Sequence, residues 1–295
     1  MPTILITGAN GVSGSIIVRE FARQKAKVKA LVRSRAKARW LEGLPTVELV
    51  EGDMLRPETL GPALKDVSRV LMISSANEQL VETQCRFIDA CTKAGVGHVV
   101  KFSGSEEGVR RDKFRFTRMH DEIERYLEGS GLAWTHLRPS QFMQVYLREI
   151  PAIVAQGAFF LPMGNAQLEP VDIEDIAKVA FALLHSDGHE EKSYDITGPE
   201  ALTMTDVAQR ISEAIGKPIR YVDVSPDNKR AMLLANGVSS FFADGVDELF
   251  SERRLRHQAR VCLETHDKFK VRPTAFAEFA ARNAARFRGE SGENS

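Results

Sequence analysis

Cysteine is scarce. Cys85, Cys91 and Cys262 are the only three in 295 residues, and they show neither a paired framework nor metal-ligand spacing, so no disulfide scaffold and no cysteine-held metal is expected. An excess of charge of one sign is also missing. Forty Lys and Arg balance forty Asp and Glu, which excludes a global attraction to nucleic acid or to an anionic membrane, although basic residues gather at 110–118 and 253–260. No apolar run approaches membrane-spanning length, and an apolar strand begins within three residues of Met1, which leaves no room for a secretory leader. The expectation is a soluble, cytoplasmic chain with no nucleic-acid or membrane partner.

What is present is a core-forming composition, 43% hydrophobic, enough for one large or two modest domains. It opens with Ile4-Leu5-Ile6-Thr7-Gly8-Ala9-Asn10-Gly11-Val12-Ser13-Gly14, an apolar strand that runs into three glycines spaced G-x-x-G-x-x-G and then a helical pattern. Gly8 suits the tight turn out of the strand, Gly11 lets backbone N–H groups approach phosphates, and Gly14 lets the helix pack closely on a sheet. A dinucleotide pyrophosphate would then sit on the positive end of that helix, with Gly8, Ala9, Asn10, Gly11, Val12 and Gly14 around it. A glycine triplet alone also fits a bare surface turn, but a strand precedes this one, a helix follows, and a second strand, Val28–Val32, arrives at the right distance.

An acidic residue is missing from the end of that second strand, where NAD binders usually place an Asp or Glu for the ribose 2′-hydroxyl. Arg33 stands there, followed by Ser34, Arg35 and Lys37. An arginine fork suits a 2′-phosphate, so NADP(H) is preferred and NAD(H) remains possible, with Arg33 and Lys37 as the candidate contacts. Arg35 and Arg39 read as an ordinary solvated face.

Strand and helix patterns alternate from the start, which predicts an α/β fold, a Rossmann-type doubly wound parallel sheet, with a smaller, mostly helical C-terminal part. Further strands are expected at Val47–Glu51, Val70–Ser74, His98–Ser103, Trp134–Leu137 and Tyr194–Ile196. Helices are expected at Gly14–Gln24, Ala36–Leu41, Glu58–Leu64, Leu80–Ala94 and Thr117–Glu128. The division expected is a dinucleotide-binding domain over 1–150, a substrate-binding part over 151–288 from which about 169–198 returns to the sheet as a short strand and a packed helix, and a flexible tail over 289–295. Ligands in such sheets lie beyond the carboxyl ends of the strands. That makes candidates of Asp53 and Met54 near an adenine, Ser74, Ser75 and Ala76 near ribose and pyrophosphate, and Ser103, Pro139 and Phe142 near the reacting end. Each serine is equally readable as a turn or cap residue.

The combination T-G-A-N-G-x-x-G, A-L-V-R, E-G-D, Phe102-Ser103-Gly104, His120 to Glu124 and Leu137-Arg138-Pro139, with Tyr194 to Thr203 further on, resembles the atypical short-chain dehydrogenase/reductase superfamily. Within it, the chain is similar to the NmrA-like branch, which includes NADPH-dependent quinone and triphenylmethane dye reductases. The resemblance covers about residues 3 to 288. Typical members of the superfamily carry a catalytic tyrosine with a lysine four residues later; this chain has Phe116 and His120. A phenyl ring neither donates nor accepts the proton that the tyrosine would, so alcohol and ketone chemistry by the usual route is in doubt.

Phe116, His120 and Glu124 share one helical face. Either His120 points at the cofactor with Glu124 orienting its ring, or His120 bonds a loop and Glu124 pairs with an arginine. His120 and Ser103 are the catalytic candidates. No metal is expected, since no second His or Cys lies at ligand spacing from His120. Aromatic and methionine residues after about 150, including Phe159-Phe160-Leu161-Pro162-Met163 and the stretch Met232–Phe250, suit a small apolar or aromatic substrate, and equally suit a core.

The resemblance implies an NADPH-dependent reductase that delivers hydride directly to a quinone-like, dye-like or conjugated carbonyl acceptor, working as a monomer or homodimer. Two other readings stay open. One is a non-enzymatic NADP(H)-sensing regulator that contacts a protein partner. The other is an isomerase that retains its nucleotide.

Overall fold

The computed structural model describes residues 2–104, 114–255 and 259–290. The 110–113 and 256–258 portions of the two basic clusters, and the tail from 291, lie outside the described residues.

Seven parallel strands form the central sheet: β1 (Ile4–Ile6), β2 (Val28–Val32), β3 (Val47–Glu51), β4 (Arg69–Met72), β5 (His98–Phe102), β6 (Ala133–Pro139) and β8 (Lys192–Ile196), in the order β3-β2-β1-β4-β5-β6-β8. The order reverses between β1 and β4, so the carboxyl ends of those strands flank the crevice in which doubly wound sheets bind ligands. β1 shows why the strands are near-continuous apolar runs. Ile4 and Ile6 enter one core and Leu5 the other, and all three are fully buried, as expected where helices cover both faces.

On the first face lie α1 (Val12–Arg23) and a helix over Ile173–Leu184, joined through Ile17, Phe21, Ile176 and Ala180, with the Phe21 and Phe181 rings edge-on at 5.0 Å. On the second lie Leu80–Ala94 and Arg115–Glu128, packed through Phe87, Ile88, Ile123 and Leu127. A third core, beyond the carboxyl ends, gathers Met143, Tyr146, Phe159, Ile211, Phe276 and Phe279. The helix Met204–Ile215 in this part starts at a capping box, in which Thr203 bonds the Asp206 amide and the Asp206 carboxylate returns the bond, satisfying two otherwise orphan amides.

The doubly wound expectation holds, and β2, β3 and the helix Leu80–Ala94 have the bounds read from sequence. Other elements differ. The return strand expected near 169 is absent among the described residues: Val171 makes only an isolated bridge with Phe142, and the sheet gains its last strand from β8. Ala36–Leu41 lies in a 3-10 turn over Arg35–Leu41, and Glu58–Leu64 is split into Pro57–Thr59 and Gly61–Leu64, because Pro62 supplies no amide for a continuous helix. A two-stranded parallel sheet, β7 (Ala158–Leu161) with β9 (Arg220–Asp223), was not foreseen. No helix among the described residues is long and apolar enough to cross a membrane, and all three cysteines are free.

Candidate functional site

The glycine turn is built as its spacing demands. Gly8 takes φ +60°, and a Cβ there would lie 2.9 Å from the Ile73 carbonyl oxygen. A Cβ on Gly14 would lie 2.2 Å from the Gly8 carbonyl, so α1 packs against the turn at a distance no other residue permits. Gly11 differs: it is exposed, and a Cβ would meet only the Gly8 carbonyl, at 3.2 Å. α1 has neither a side-chain cap nor an acidic residue in its first turn, so its leading N–H groups are available to an anion. Val12 beside them is 57% exposed, whereas Ala9 is buried.

Asn10 ties this turn to the segment after β2. Its amide donates to the Lys37 carbonyl at 3.0 Å and its carbonyl accepts from Trp40 Nε1 at 2.8 Å, while Arg19 lies over the Trp40 ring at 4.7 Å. Asn10 is thus occupied as a bracket, a role the sequence did not mark. Of the two arginines behind β2, Arg35 bonds the Leu49 carbonyl through its guanidinium and Glu51 through its amide. Arg33 is exposed and makes no ion pair or hydrogen bond among the described residues. Lys37 is also exposed. An uncapped helix end, an open Gly11 and an uncommitted Arg33 side by side fit the pyrophosphate and 2′-phosphate of NADP(H).

At the other strand ends the candidates divide. Asp53 accepts from the Leu55 amide at 3.0 Å and stands 3.6 Å from Arg56, so its carboxylate organises its own turn; Met54 is buried. Ser74 Oγ accepts from Gln84 Nε2 at 2.9 Å, and Ser75 is exposed with Ala76 half-buried beside it. Pro139 is buried at the end of β6, and Phe142 lies against Phe102 with ring centroids 5.9 Å apart.

Between β5, β6 and the helix Arg115–Glu128 lies a buried polar layer. Glu124, fully buried, receives Arg138 Nε at 3.0 Å and Nη2 at 2.5 Å, and Ser103 Oγ donates to it at 2.6 Å. Burial pushes the Glu124 carboxyl upward, but the bonds and charge of Arg138 and the Ser103 hydroxyl outweigh this and hold it below its ordinary range. The Ser103 proton is thereby committed to Glu124. Glu124 pairs with an arginine, as the second sequence alternative had it, and not with His120, as the first did; His120 in turn bonds a strand residue and not a loop. Its Nδ1 lies 2.8 Å from Nζ of Lys101, a residue of β5 that the sequence reading passed over. Burial, and then the Lys101 charge, keep His120 neutral, well below its usual value. Glu124, Glu128 and His136 also converge, but Glu124 is held by Arg138 and His136 Nε2 by Glu128 at 3.1 Å; this is an ion-pair network with a guanidinium inside it, unsuited to a cation.

Phe116, where the superfamily's tyrosine would stand, is roofed by the helix Ser240–Arg254. Its ring lies 6.2 Å from Phe241 and 5.6 Å from Phe242, and a Cβ on Gly245 would fall 2.5 Å from its Cζ. Arg115 pins the roof to the helix Arg115–Glu128 through Glu248 at 2.7 Å.

Known proteins similar to this chain include named oxidoreductases. It is 36% identical to an NAD(P)H azoreductase of Xenophilus azovorans, over 96% of this chain and 99% of that one. It is 29% identical to quinone oxidoreductase 2 of Escherichia coli, over 82% and 84% of the two chains. The solved NADPH complex of the E. coli quinone oxidoreductase superposes with a TM-score of 0.84 over 95% of this chain and 99% of that one, at 25% identity. The NADP(H) complex of Citrobacter triphenylmethane reductase gives 0.84 over 96% and 100%, at 23% identity, which speaks for the fold alone. The model of the NmrA-like family matches residues 1–280, and the chain belongs to that family.

Proposed function

We propose that the protein is an NADPH-dependent oxidoreductase that passes hydride directly to an electrophilic acceptor with a delocalised π-system: a quinone, an azo or triphenylmethane-type dye, or a conjugated carbonyl. The observation that carries the cofactor half is Arg33, uncommitted and exposed beside the open glycine turn, while its neighbour Arg35 is spent on Leu49 and Glu51. In this reading Gly8, Gly11, Gly14 and the first turn of α1 hold the pyrophosphate, Arg33 and Lys37 take the 2′-phosphate, and Ser74, Ser75, Ala76, Pro139 and Phe142 line the path to the reacting end. Asp53 and Met54 shape the adenine end chiefly through backbone, since the Asp53 carboxylate already serves its own turn.

NADPH, when bound, supplies the hydride. The chain contributes binding, orientation and a dry apolar wall. Phe116, Phe241 and Phe242 form that wall at the position of the missing tyrosine. Acceptors whose reduced form is a stabilised anion need little help from a strong acid, so the loss of the tyrosine narrows the acceptor class without abolishing reduction. Residues 1–150 serve as the nucleotide-binding unit and 151–288 as the substrate part, in a cytoplasmic monomer or homodimer. The test is loss of NADPH absorbance across a panel of quinones, azo dyes and enones. Tight NADPH binding with no turnover on any of them would support a sensor, and nucleotide retained through purification would support an isomerase.

A further inference from the structure

Lys101 is the one residue of β5 (HVVKF) whose presence packing does not explain. It is fully buried, in register with Met72 of β4 and His136 of β6, a position where a charge is costly unless it is used. Ser103, just past the end of β5, is two residues from Lys101 and points to the same face, and the four-carbon stem of Lys101 reaches along that face to the Nδ1 of His120 at 2.8 Å. His120 lies one turn nearer than Glu124 to the start of its helix, which is the end at the crevice, and it is half-buried where Lys101 is sealed. With Nδ1 turned inward to Lys101, Nε2 is the ring nitrogen turned away from the interior.

We propose that Lys101 acts through His120 as the proton source of the reduction, its ammonium donating to Nδ1 and so holding the Nε2–H tautomer toward the acceptor. This rests on the reading of the chain as a hydride-transferring reductase. The balance is simple. Hydride adds two electrons and one hydrogen to the acceptor; the basic atom so created takes the Nε2 proton as that N–H bond breaks, and Nδ1 takes a proton from Nζ. The result is reduced acceptor, neutral imidazole and neutral amine. After product leaves, Nε2 gains a proton from water and Nδ1 returns its own to Lys101.

The charge state suits the role. Burial brings the Lys101 amine down to about 7, with Glu124 pulling upward and Arg138 downward. Facing it are Cys85 from the helix Leu80–Ala94, Glu124 and His120 from Arg115–Glu128, and Arg138 and His136 from β6. The pair therefore holds one exchangeable proton near neutrality.

Lys101→Met and His120→Gln test this. In ligand-free protein, the imidazole ¹⁵N spectrum of His120 should show one neutral Nε2–H tautomer at pH 6, and Lys101→Met should give mixed tautomers and an upward-shifted titration. In urea, wild-type stability relative to Lys101→Met should rise as pH goes from about 7 to about 10, because only the unfolded state then keeps the lysine proton. With a slow acceptor such as an azo dye, wild-type kcat should fall as pH rises through about 7. Lys101→Met should lower kcat at pH 6 by roughly tenfold or more and flatten the profile, with KM and NADPH affinity unchanged; His120→Gln should do the same. An Nδ1–H tautomer in the wild type, or a Lys101→Met profile that keeps the wild-type limb, would overturn the proposal. Absence of wild-type turnover on every acceptor would overturn the reductase reading and the donor role with it, while the ¹⁵N spectra would still decide the tautomer.

Discussion

Replacing Arg33 by Ala should separate the two nicotinamide cofactors. Arg33 follows β2 exposed and uncommitted, so nothing inside the protein is lost with it, and any change in affinity reports its contact with ligand. A charge-assisted contact contributes about 1.5 to 3 kcal/mol; because Arg33 stands in water and is screened by salt, the lower figure applies. NADPH should then bind about tenfold more weakly. NADH, which has no 2′-phosphate, should change by less than about twofold. Arg35→Ala is the control: it removes the bond to the Leu49 carbonyl and should cost about 1 kcal/mol of folding stability while shifting both cofactors alike. Quenching of intrinsic fluorescence, titrated with each cofactor at two salt concentrations, measures all of this. Equal weakening of NADPH and NADH by Arg33→Ala would refute the assignment of the 2′-phosphate to this residue.

Gly11→Val should abolish NADPH binding with the melting temperature nearly unchanged, since only the Gly8 carbonyl lies near the new side chain, whereas Gly14→Ala should unfold the chain, its Cβ falling 2.2 Å from that same oxygen; circular dichroism and a binding titration distinguish the two. Glu124→Gln should destabilise the fold by roughly 3 kcal/mol in urea, because it takes the Glu124 charge away from the buried Arg138 guanidinium. The Glu124 carboxyl is held below its unfolded value, so the stability it contributes is present above about pH 4.5 and is lost as pH falls through its folded pKa; the mutant should lack that acid limb.

The strands and the cofactor turn were legible because their determinants are local. A strand covered on both faces must be apolar throughout, a close helix–turn contact must be glycine, and both leave a mark in consecutive residues. The polar layer left almost none. Glu124 and Arg138 meet across a helix, a loop and a strand, and the only local cue, the four-residue spacing from His120 to Glu124, paired the wrong partners. Lys101 did leave a signal, a lysine in the middle of an apolar parallel strand, which on its own says that a buried partner exists without saying which. β7 and β9 are short and separated by the helix Ile173–Leu184, β8 and the helix Met204–Ile215, so their pairing is decided by the third core and not by either segment's alternation.

The phenylalanine at position 116 follows from its roof. Its para carbon faces Gly245 so closely that even a methyl group on that glycine would overlap it at 2.5 Å, and Arg115 holds the roof down through Glu248. A hydroxyl at that para position would crowd the helix Ser240–Arg254, and a buried Tyr hydroxyl also needs a partner that Phe241 and Phe242 do not offer. Restoring the superfamily's pair as Phe116→Tyr with His120→Lys should therefore not raise turnover of a quinone. It should lower it, by pushing the aromatic wall outward and by setting a second ammonium against Lys101 where a neutral imidazole now stands. Stopped-flow oxidation of NADPH by a quinone, alongside the melting temperature, reads both effects. A double mutant that stayed as stable as the wild type and gained an order of magnitude in rate would mean that the roof yields easily, and that the absence of tyrosine reflects lost chemistry and not a different proton source.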